Sequence, residues 1–513
     1  MNNRNPPVLR PEHPSPRALA GLADQFHLTV HGVLDHIDVT GVTVRTTEVE
    51  PGDLYVAMPG SNSHGASHAA DARERGAVAI LTDGVGAELA ADAGLPIILV
   101  DSPREALGEV SAWVYRTAEH PPLLFGVTGT NGKTSTSYLL EGILRQLGLV
   151  TGLSSTAERH IADLTVVSRL TTPEASELHA LLARMRESAV RAVAVEVSAQ
   201  ALTAHRVDGI VFDVVGFTNL SHDHLDDYTD MNDYLEAKAE LFTPEHGRHG
   251  VVCLDSPYGT GVVERSRIPV TTISSKAQIA ADWQLEVIDE QPTHSTFTLV
   301  GQGGRSITTS APLIGRHMAA NAGLAIVMLV EAGFEVEAIG QALEPDGIQA
   351  YLPGRTERVS GDRGPSVYVD FGHSPDAFLN TLQAVRTFTR GRVLMVFGAD
   401  GDRDATKRHE MARVASEFSD ILVITDHHPR FEDAASIRAT LIEGAHLAEH
   451  RADLHEVSPP EQAIRRAISL AREGDSILWA GPGHQDYRDI RGVRTPYSAR
   501  TEARDALREA GWA

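Results

Sequence analysis

The chemistry of this 513-residue chain gathers on a short run, Gly129-Thr130-Asn131-Gly132-Lys133-Thr134-Ser135. Glycines let backbone N–H groups turn toward phosphates, and a helix starting at the end of such a run adds its partial positive charge. Lys133 is placed to reach the outer phosphates of a nucleotide as a point charge, and the Thr134 hydroxyl to hold Mg²⁺. Val127 stands where the longer GxxxxGK[ST] form has its first glycine, so the run fits the shorter GTxGK[ST] form. Downstream, Glu196 ends the apolar run Val193 to Val197. A carboxylate there needs a partner, and a metal ion is the natural one. Asp223, His224 and Asp226 cluster in TNLSHDHLDDY, where a ligand set for Mg²⁺ would sit. Lys238, among apolar neighbours in YLEAKAELF, reads by itself as a surface lysine whose stem snorkels. Thr171-Thr172-Pro173-Glu174 reads as a helix start, with Thr172 at the N-cap and Pro173 at the first helical position.

These residues need elements to hold them. Leu123 to Val127 predicts a strand before the glycine run. Leu139, Leu140, Ile143, Leu144 and Leu147 predict a helix after it, closed by Gly148. The length implies about three domains. A tail of residues 1–16, Pro- and Asn-rich and expected to be mobile, precedes a first α/β unit over 17–118. There Val49 to Gly60 reads as a strand after a Pro-Gly turn, and His64 to Asp83 as a helix closed by Gly76 and then a strand. The second unit, 119–350, holds the phosphate run, a strand over Ile210 to Phe217, and Asn321 in an otherwise apolar helix. In the third, 351–513, four apolar strands deliver polar residues at their carboxyl ends, as a doubly wound sheet does. No GxGxxG follows a strand, which disfavours a dehydrogenase. The net charge of −24 argues against affinity for nucleic acid or anionic membrane. A single cysteine, Cys253, rules out an internal disulfide or a cysteine-based zinc ribbon. The longest apolar stretch, Ala319 to Val330, is too short to span a bilayer. A soluble cytoplasmic protein without membrane insertion is expected.

Taken together and in this order, the motifs resemble the Mur ligases, and most closely the branch known as MurE. The chain reads PGDLY where the family has PGDLF, keeps GTNGKT, TTP and PGR, and has EVSAQ for EVSSH. It reads FTNLSHDHLD, YLEAKAELF, DFGHSPD for DYAHTPD, and GADGDRD for GxGGDRD. The resemblance implies three domains: a small α/β N-terminal one that binds the UDP substrate, a central P-loop ATPase-like one with a mostly parallel sheet, and a C-terminal Rossmann-like one. It implies ATP and Mg²⁺ as cofactors. The run Gly129 to Ser135 would hold the phosphates, with Thr134, Glu196 and His224 as Mg²⁺ ligands and Lys238 carbamylated to help position a second ion. Asn321, Arg355, Asp370 and His373 match positions of the nucleotide site. Thr171, Thr172, Ser198 and Arg206 match positions that hold the muramoyl dipeptide. Arg403 and Arg430 match positions that bind carboxylates of the incoming amino acid. Lys133, Lys238 and His224 are thereby the expected catalytic set. The implied reaction adds the third amino acid to UDP-N-acetylmuramoyl-L-Ala-D-Glu through an acyl phosphate, by a protein expected to be a monomer.

The departures gather where the amino acid would bind. The family's DNPR is here His427-His428-Pro429-Arg430, and GKGHE, starting at Gly481, is GPGHQ, ending in Gln485. Loss of that glutamate charge weakens recognition of a distal cation by about 1–3 kcal/mol in a buried site. The DSR ahead of PGDL is Arg45-Thr46-Thr47, and the FN ahead of the family's second Asn is His317-Met318. meso-Diaminopimelate is therefore the default third residue, with L-lysine, L-ornithine or an uncharged analogue open. A ligase like the folylpolyglutamate synthetases, or an idle nucleotide-binding paralogue, are the other readings.

Overall fold

The apolar runs build three large sheets in a computed structural model that describes residues 8–223 and 227–512. The first sheet has five strands. Gly41–Thr43, Asp53–Val56, Ala79–Thr82 and Ile97–Leu99 run parallel, and Thr29–His31 pairs antiparallel at the edge. Its strand Asp53–Val56 follows the Pro51-Gly52 turn, as the sequence predicts, with Gly52 at φ +94°, and ends at Val56, short of Gly60. Gly76, at φ +106°, ends the helical stretch, as its position predicts. Part of the stretch expected as a mobile tail is tied down. Arg10 donates to both carboxylate oxygens of Asp53 at 2.7 and 2.8 Å, and the N–H groups of Glu12 and His13 donate to Glu187. A buried carboxylate, Asp53, recruits the arginine out of the tail.

The second sheet has eleven strands. At its centre Thr151–Ser154, Ala192–Glu196, Leu123–Thr128, Phe212–Phe217 and Gly247–Cys253 lie side by side and parallel. Such strands are covered on both faces, which is why they read as continuous apolar runs rather than alternating ones. Helix Lys133–Gln146 covers one face with Leu139, Leu140, Ile143 and Leu144, all fully buried against helix Arg316–Glu331. Each such side chain contributes about 1.5–3 kcal/mol relative to exposure. Helix Ala175–Glu187 covers the other face through Leu178, Leu181 and Met185. This helix begins later than the Thr-Thr-Pro run suggests. Glu174, not Thr172, stands at its N-cap. The Thr172 hydroxyl instead donates to the Glu196 carbonyl at 2.8 Å and accepts from the Ser198 N–H at 3.1 Å, so it serves the strand end rather than the helix.

The third sheet has five parallel strands, ordered Ser366–Asp370, Ser476–Ala480, Val393–Phe397, Ile421–Ile424, Asp453–Glu456, with Glu357–Arg358 antiparallel at the edge. The last strand in sequence is inserted near the centre. This brings the loops after Asp370, Phe397, Ile424 and Ala480 to one edge.

Beneath helix Lys133–Gln146 lies a buried charged network. His160 contacts Glu141 at 2.7 Å and Glu158 at 3.3 Å, and the Tyr138 hydroxyl donates to Glu158 at 2.8 Å. Burial works against the imidazolium, but the two carboxylates outweigh it and lift His160 from 6.5 to about 9. A group whose folded value is raised gives stability that is complete below its unfolded value and fades as pH rises through the folded one. The contribution, on the order of 3 kcal/mol at most, is therefore present below about pH 6.5 and lost through about pH 9. Denaturant unfolding between pH 6 and pH 10 should show this loss, and His160→Gln should flatten it. An unchanged slope in the variant would place the pH dependence elsewhere.

Candidate active site

Strand Leu123–Thr128 delivers the phosphate loop into a cavity of about 550 Å³. At Gly129, φ is +145° and an added Cβ would lie 1.9 Å from the Thr218 hydroxyl oxygen, so only glycine fits. The loop is clasped by the end of the neighbouring strand. Thr130 N–H donates to the Asn219 carbonyl at 2.8 Å, Asn131 N–H to Asn219 Oδ1 at 3.0 Å, and the Thr218 hydroxyl to the Asn131 carbonyl at 2.6 Å. Helix Lys133–Gln146 then starts from Gly132 with no side-chain cap. Its uncapped N-terminus is a ready anion site.

Two lysines meet at this loop. Lys133 Nζ donates to the carbonyls of Gly129 at 2.7 Å and Thr130 at 3.0 Å. Lys238, from helix Met231–Ala239, donates to the same Gly129 carbonyl at 3.0 Å and lies 4.3 Å from the Tyr234 ring centre. Lys238 is only 1% exposed, so its reading as a snorkelling surface residue fails: the helix turns it inward against the loop. Burial lowers the ammonium of both. For Lys238 the nearby Lys133 adds to the effect and holds it well below its ordinary value.

Glu196 is fully buried at the end of its strand, and its two oxygens accept from Thr156 N–H and Thr156 Oγ1, each at 2.9 Å. Thr134 Oγ1 accepts from Arg355 at 3.0 Å, and the Arg355 guanidinium stacks 4.3 Å over the Phe371 ring. Asp370 fixes that segment by accepting from Thr356 N–H at 2.7 Å and Gly372 N–H at 2.6 Å. Asp223 reaches Lys407 Nζ at 2.7 Å and lies 3.7 Å from His373 Nε2, joining the second unit to the third. His224 and Asp226 lie outside the described residues.

The cavity lining takes in Thr130 to Ser135, Glu196, Lys238, Asn321, Arg355, Asp370 and His373. Thr171, Thr172, Ser198 and Arg206 line the same cavity, as do Arg403, Arg430, Gly481 and Gln485. Gly129 stands just behind the lining. So does His428, which was expected to touch substrate; it is 2% exposed because both ring nitrogens are engaged. Nδ1 accepts from Asp489 N–H at 3.0 Å, and Nε2 bonds Gln485 Oε1 at 2.8 Å. His428 thus acts through Gln485. Several lining residues were not foreseen, among them Thr156, Asp400, His427 and Lys407. Asp400 did carry a signal, since it fills the third position of GADGDRD, where the related motif has glycine. Thr156 carried none.

The chain matches three models in sequence order. They are Mur ligase family, catalytic domain, over 38–115; Mur ligase middle domain, over 127–329; and Mur ligase, glutamate ligase domain, over 354–483. It is 61% identical over all of its length, and all of the relative's, to the UDP-N-acetylmuramyl-tripeptide synthetase of Leifsonia xyli subsp. xyli. The chain is a Mur ligase. A relative in Streptomyces avermitilis, named UDP-N-acetylmuramoyl-L-alanyl-D-glutamate--2,6-diaminopimelate ligase, is 42% identical over 99% of both chains. A solved structure bearing that same ligase name is similar at TM-score 0.66 and 26% identity, over 96% of this Mur ligase and 99% of that chain. The three α/β units of this Mur ligase are thus a shared architecture. Among its described residues no helix is long and apolar enough to cross a membrane.

Proposed function

We propose that this Mur ligase is a UDP-N-acetylmuramoyl-tripeptide synthetase, using ATP to join a third amino acid to UDP-N-acetylmuramoyl-L-Ala-D-Glu. The observation that carries the reading is one cavity lined by the phosphate loop, two buried lysines and Glu196 together with Arg403 and Arg430. The first set suits phosphoryl transfer, and the two arginines suit an amino acid's carboxylate. The names of the relatives at 61% and 42% identity support the same reaction.

A carboxylate is a poor electrophile until it carries a leaving group. The γ-phosphoryl of ATP moves to the D-glutamyl carboxylate, giving ADP and an acyl phosphate. The free α-amine of the incoming amino acid attacks the acyl carbon, and phosphate leaves from the tetrahedral intermediate as the amine loses a proton. Lys133 and the uncapped helix start bind the phosphates and offset charge as it spreads over the transferred group. Thr171, Thr172, Ser198 and Arg206 line the same cavity, which supports a role for them in holding the muramoyl peptide. Thr134 Oγ1 and the Glu196 carboxylate are hard oxygen donors that would hold Mg²⁺, with a carbamate on Lys238 as a further anionic group. Bound there, Mg²⁺ supplies Lewis-acid neutralisation of the phosphoryl oxygens.

The test is phosphate release with ATP, Mg²⁺, the UDP-dipeptide and single amino acids in turn. Release should need both the dipeptide and one amino acid, and the UDP product should gain the mass of that residue. ATP binding without release for any amino acid would refute the assignment.

A further inference from the structure

The cavity wall holds an anion with an unanswered oxygen. Asp400 lies just beyond strand Val393–Phe397 and lines the cavity. Its Oδ2 has a long contact to Arg430, at 3.4 Å. Its Oδ1 is shielded from solvent and has no hydrogen-bond donor among the described residues; His427 Nε2 lies 3.5 Å from it. A buried carboxylate oxygen without a donor is costly, and at a cavity wall it marks a place for a ligand's donor.

Gln485 is constrained in the opposite sense. Because His428 Nδ1 accepts from the Asp489 N–H, the proton of the neutral ring must sit on Nε2. Nε2–H then donates to Gln485 Oε1, which fixes the amide and leaves its NH₂ as the group available to the cavity. Gln485 can therefore offer its NH₂ to a carboxylate, while one lone pair of its Oε1 is already taken by His428. The same tautomer decides a second question. Asp400, His427 and His428 stand close enough to suggest metal ligands, with their ligand atoms within 4.8 Å of one another. In this tautomer His428 has no lone pair left to offer a metal.

We propose that Asp400 is the specificity-determining contact for a second ammonium group on the incoming amino acid, while Gln485 presents its NH₂ to a carboxylate. The inference rests on the ligase reading above and adds to it a specificity-determining residue. The cation is met from the Asp400 loop, and the Asp489–His428–Gln485 chain leaves the Gln485 NH₂ unengaged by His428. His428 is a positioning residue in this arrangement.

The test compares kcat/KM for L-lysine, L-ornithine and meso-diaminopimelate with that for norleucine, the neutral counterpart of lysine. Wild type should prefer one diamino acid. Asp400→Asn should reduce that preference over norleucine by about 30- to 100-fold, the loss expected for a charged hydrogen bond. KM for ATP and for the UDP-dipeptide should change by less than about twofold. The double variant Asp400→Asn/Gln485→Glu should recover most of the preference by supplying the carboxylate from the other side, which a merely structural role for Asp400 does not allow. An unchanged preference in Asp400→Asn overturns the proposal. So does a wild-type enzyme that selects a neutral amino acid, although phosphate release dependent on the dipeptide would leave the ligase reading standing. No release with any amino acid removes both.

Discussion

Replacing Lys133 by alanine should lower phosphate release about a thousandfold, the scale expected when one preorganised charge is removed from a phosphoryl-transfer site. The side chain is not what holds the local fold. Helix Lys133–Gln146 is fixed by Leu139, Leu140, Ile143 and Leu144, and alanine is a good residue for its first turn. Melting of Lys133→Ala should therefore stay close to that of the parent, and removing a buried ammonium even relieves some desolvation. What disappears is the cation opposite the outer phosphates. Two measurements separate the possibilities. If pre-steady-state acyl phosphate formation collapses while the UDP-dipeptide still binds, the lysine acts in the transfer step. If the variant turns over normally, or supports growth in place of the parent gene, the cavity is not a phosphoryl-transfer site and an idle nucleotide-binding paralogue becomes the better reading.

How much of this was legible in the sequence follows from the range of the interactions involved. The phosphate loop was legible because its parts are local: a strand, φ-positive glycines and a helix start within about twenty-five residues. Glu196 was legible for a similar reason, as a charge that could not sit in an apolar run without a partner. Lys238 was misread from its own neighbours, since helical periodicity cannot say which side of helix Met231–Ala239 faces the loop more than 100 residues earlier. Thr172 was misread because a local cap and a strand-end clamp use the same hydroxyl, and only the fold brings Glu196 beside it. The partner that Glu196 demanded was assigned to a metal alone, yet Thr156 already satisfies both of its oxygens from a loop with no distinguishing residues.

The amino-acid end was the least legible part. Its composition could be read, with a glutamine where the family has a glutamate and a histidine where it has an asparagine. The direction of the amide could not. That direction depends on a backbone N–H from Asp489 acting on a ring two steps removed from the substrate. Substitutions that look like a loss of charge at position 485 become, with Asp400 in view, a transfer of charge across the cavity. Compensation of this kind is invisible to motifs examined singly, because each motif changes by itself toward something unfamiliar.

Lys238→Arg should lower turnover at least a hundredfold although it keeps a positive charge at the site. The ammonium of Lys238 sits between the Gly129 carbonyl and the Tyr234 ring, with Lys133 on the same carbonyl. Burial first, and Lys133 second, disfavour its protonated form and so favour the free amine. A free amine attacks CO₂ through nitrogen, forms a C–N bond, and loses one proton to leave a carbamate. The step converts a disfavoured like-charge pair, Lys133 and Lys238, into an attractive one and adds two oxygens next to the phosphate loop. Arginine cannot take this path, because its guanidinium stays protonated. Three results are therefore linked. Enzyme prepared in CO₂-free buffer should lose activity and regain it on adding bicarbonate. ¹³C-labelled bicarbonate should give a carbamate resonance in the parent that is absent from Lys238→Arg. Recovery should be slower at lower pH, as the amine is protonated. An arginine variant with parental turnover, or a parent indifferent to bicarbonate and lacking the resonance, would show that the lysine works as a cation, and the second anionic ligand would then have to come from elsewhere in the cavity.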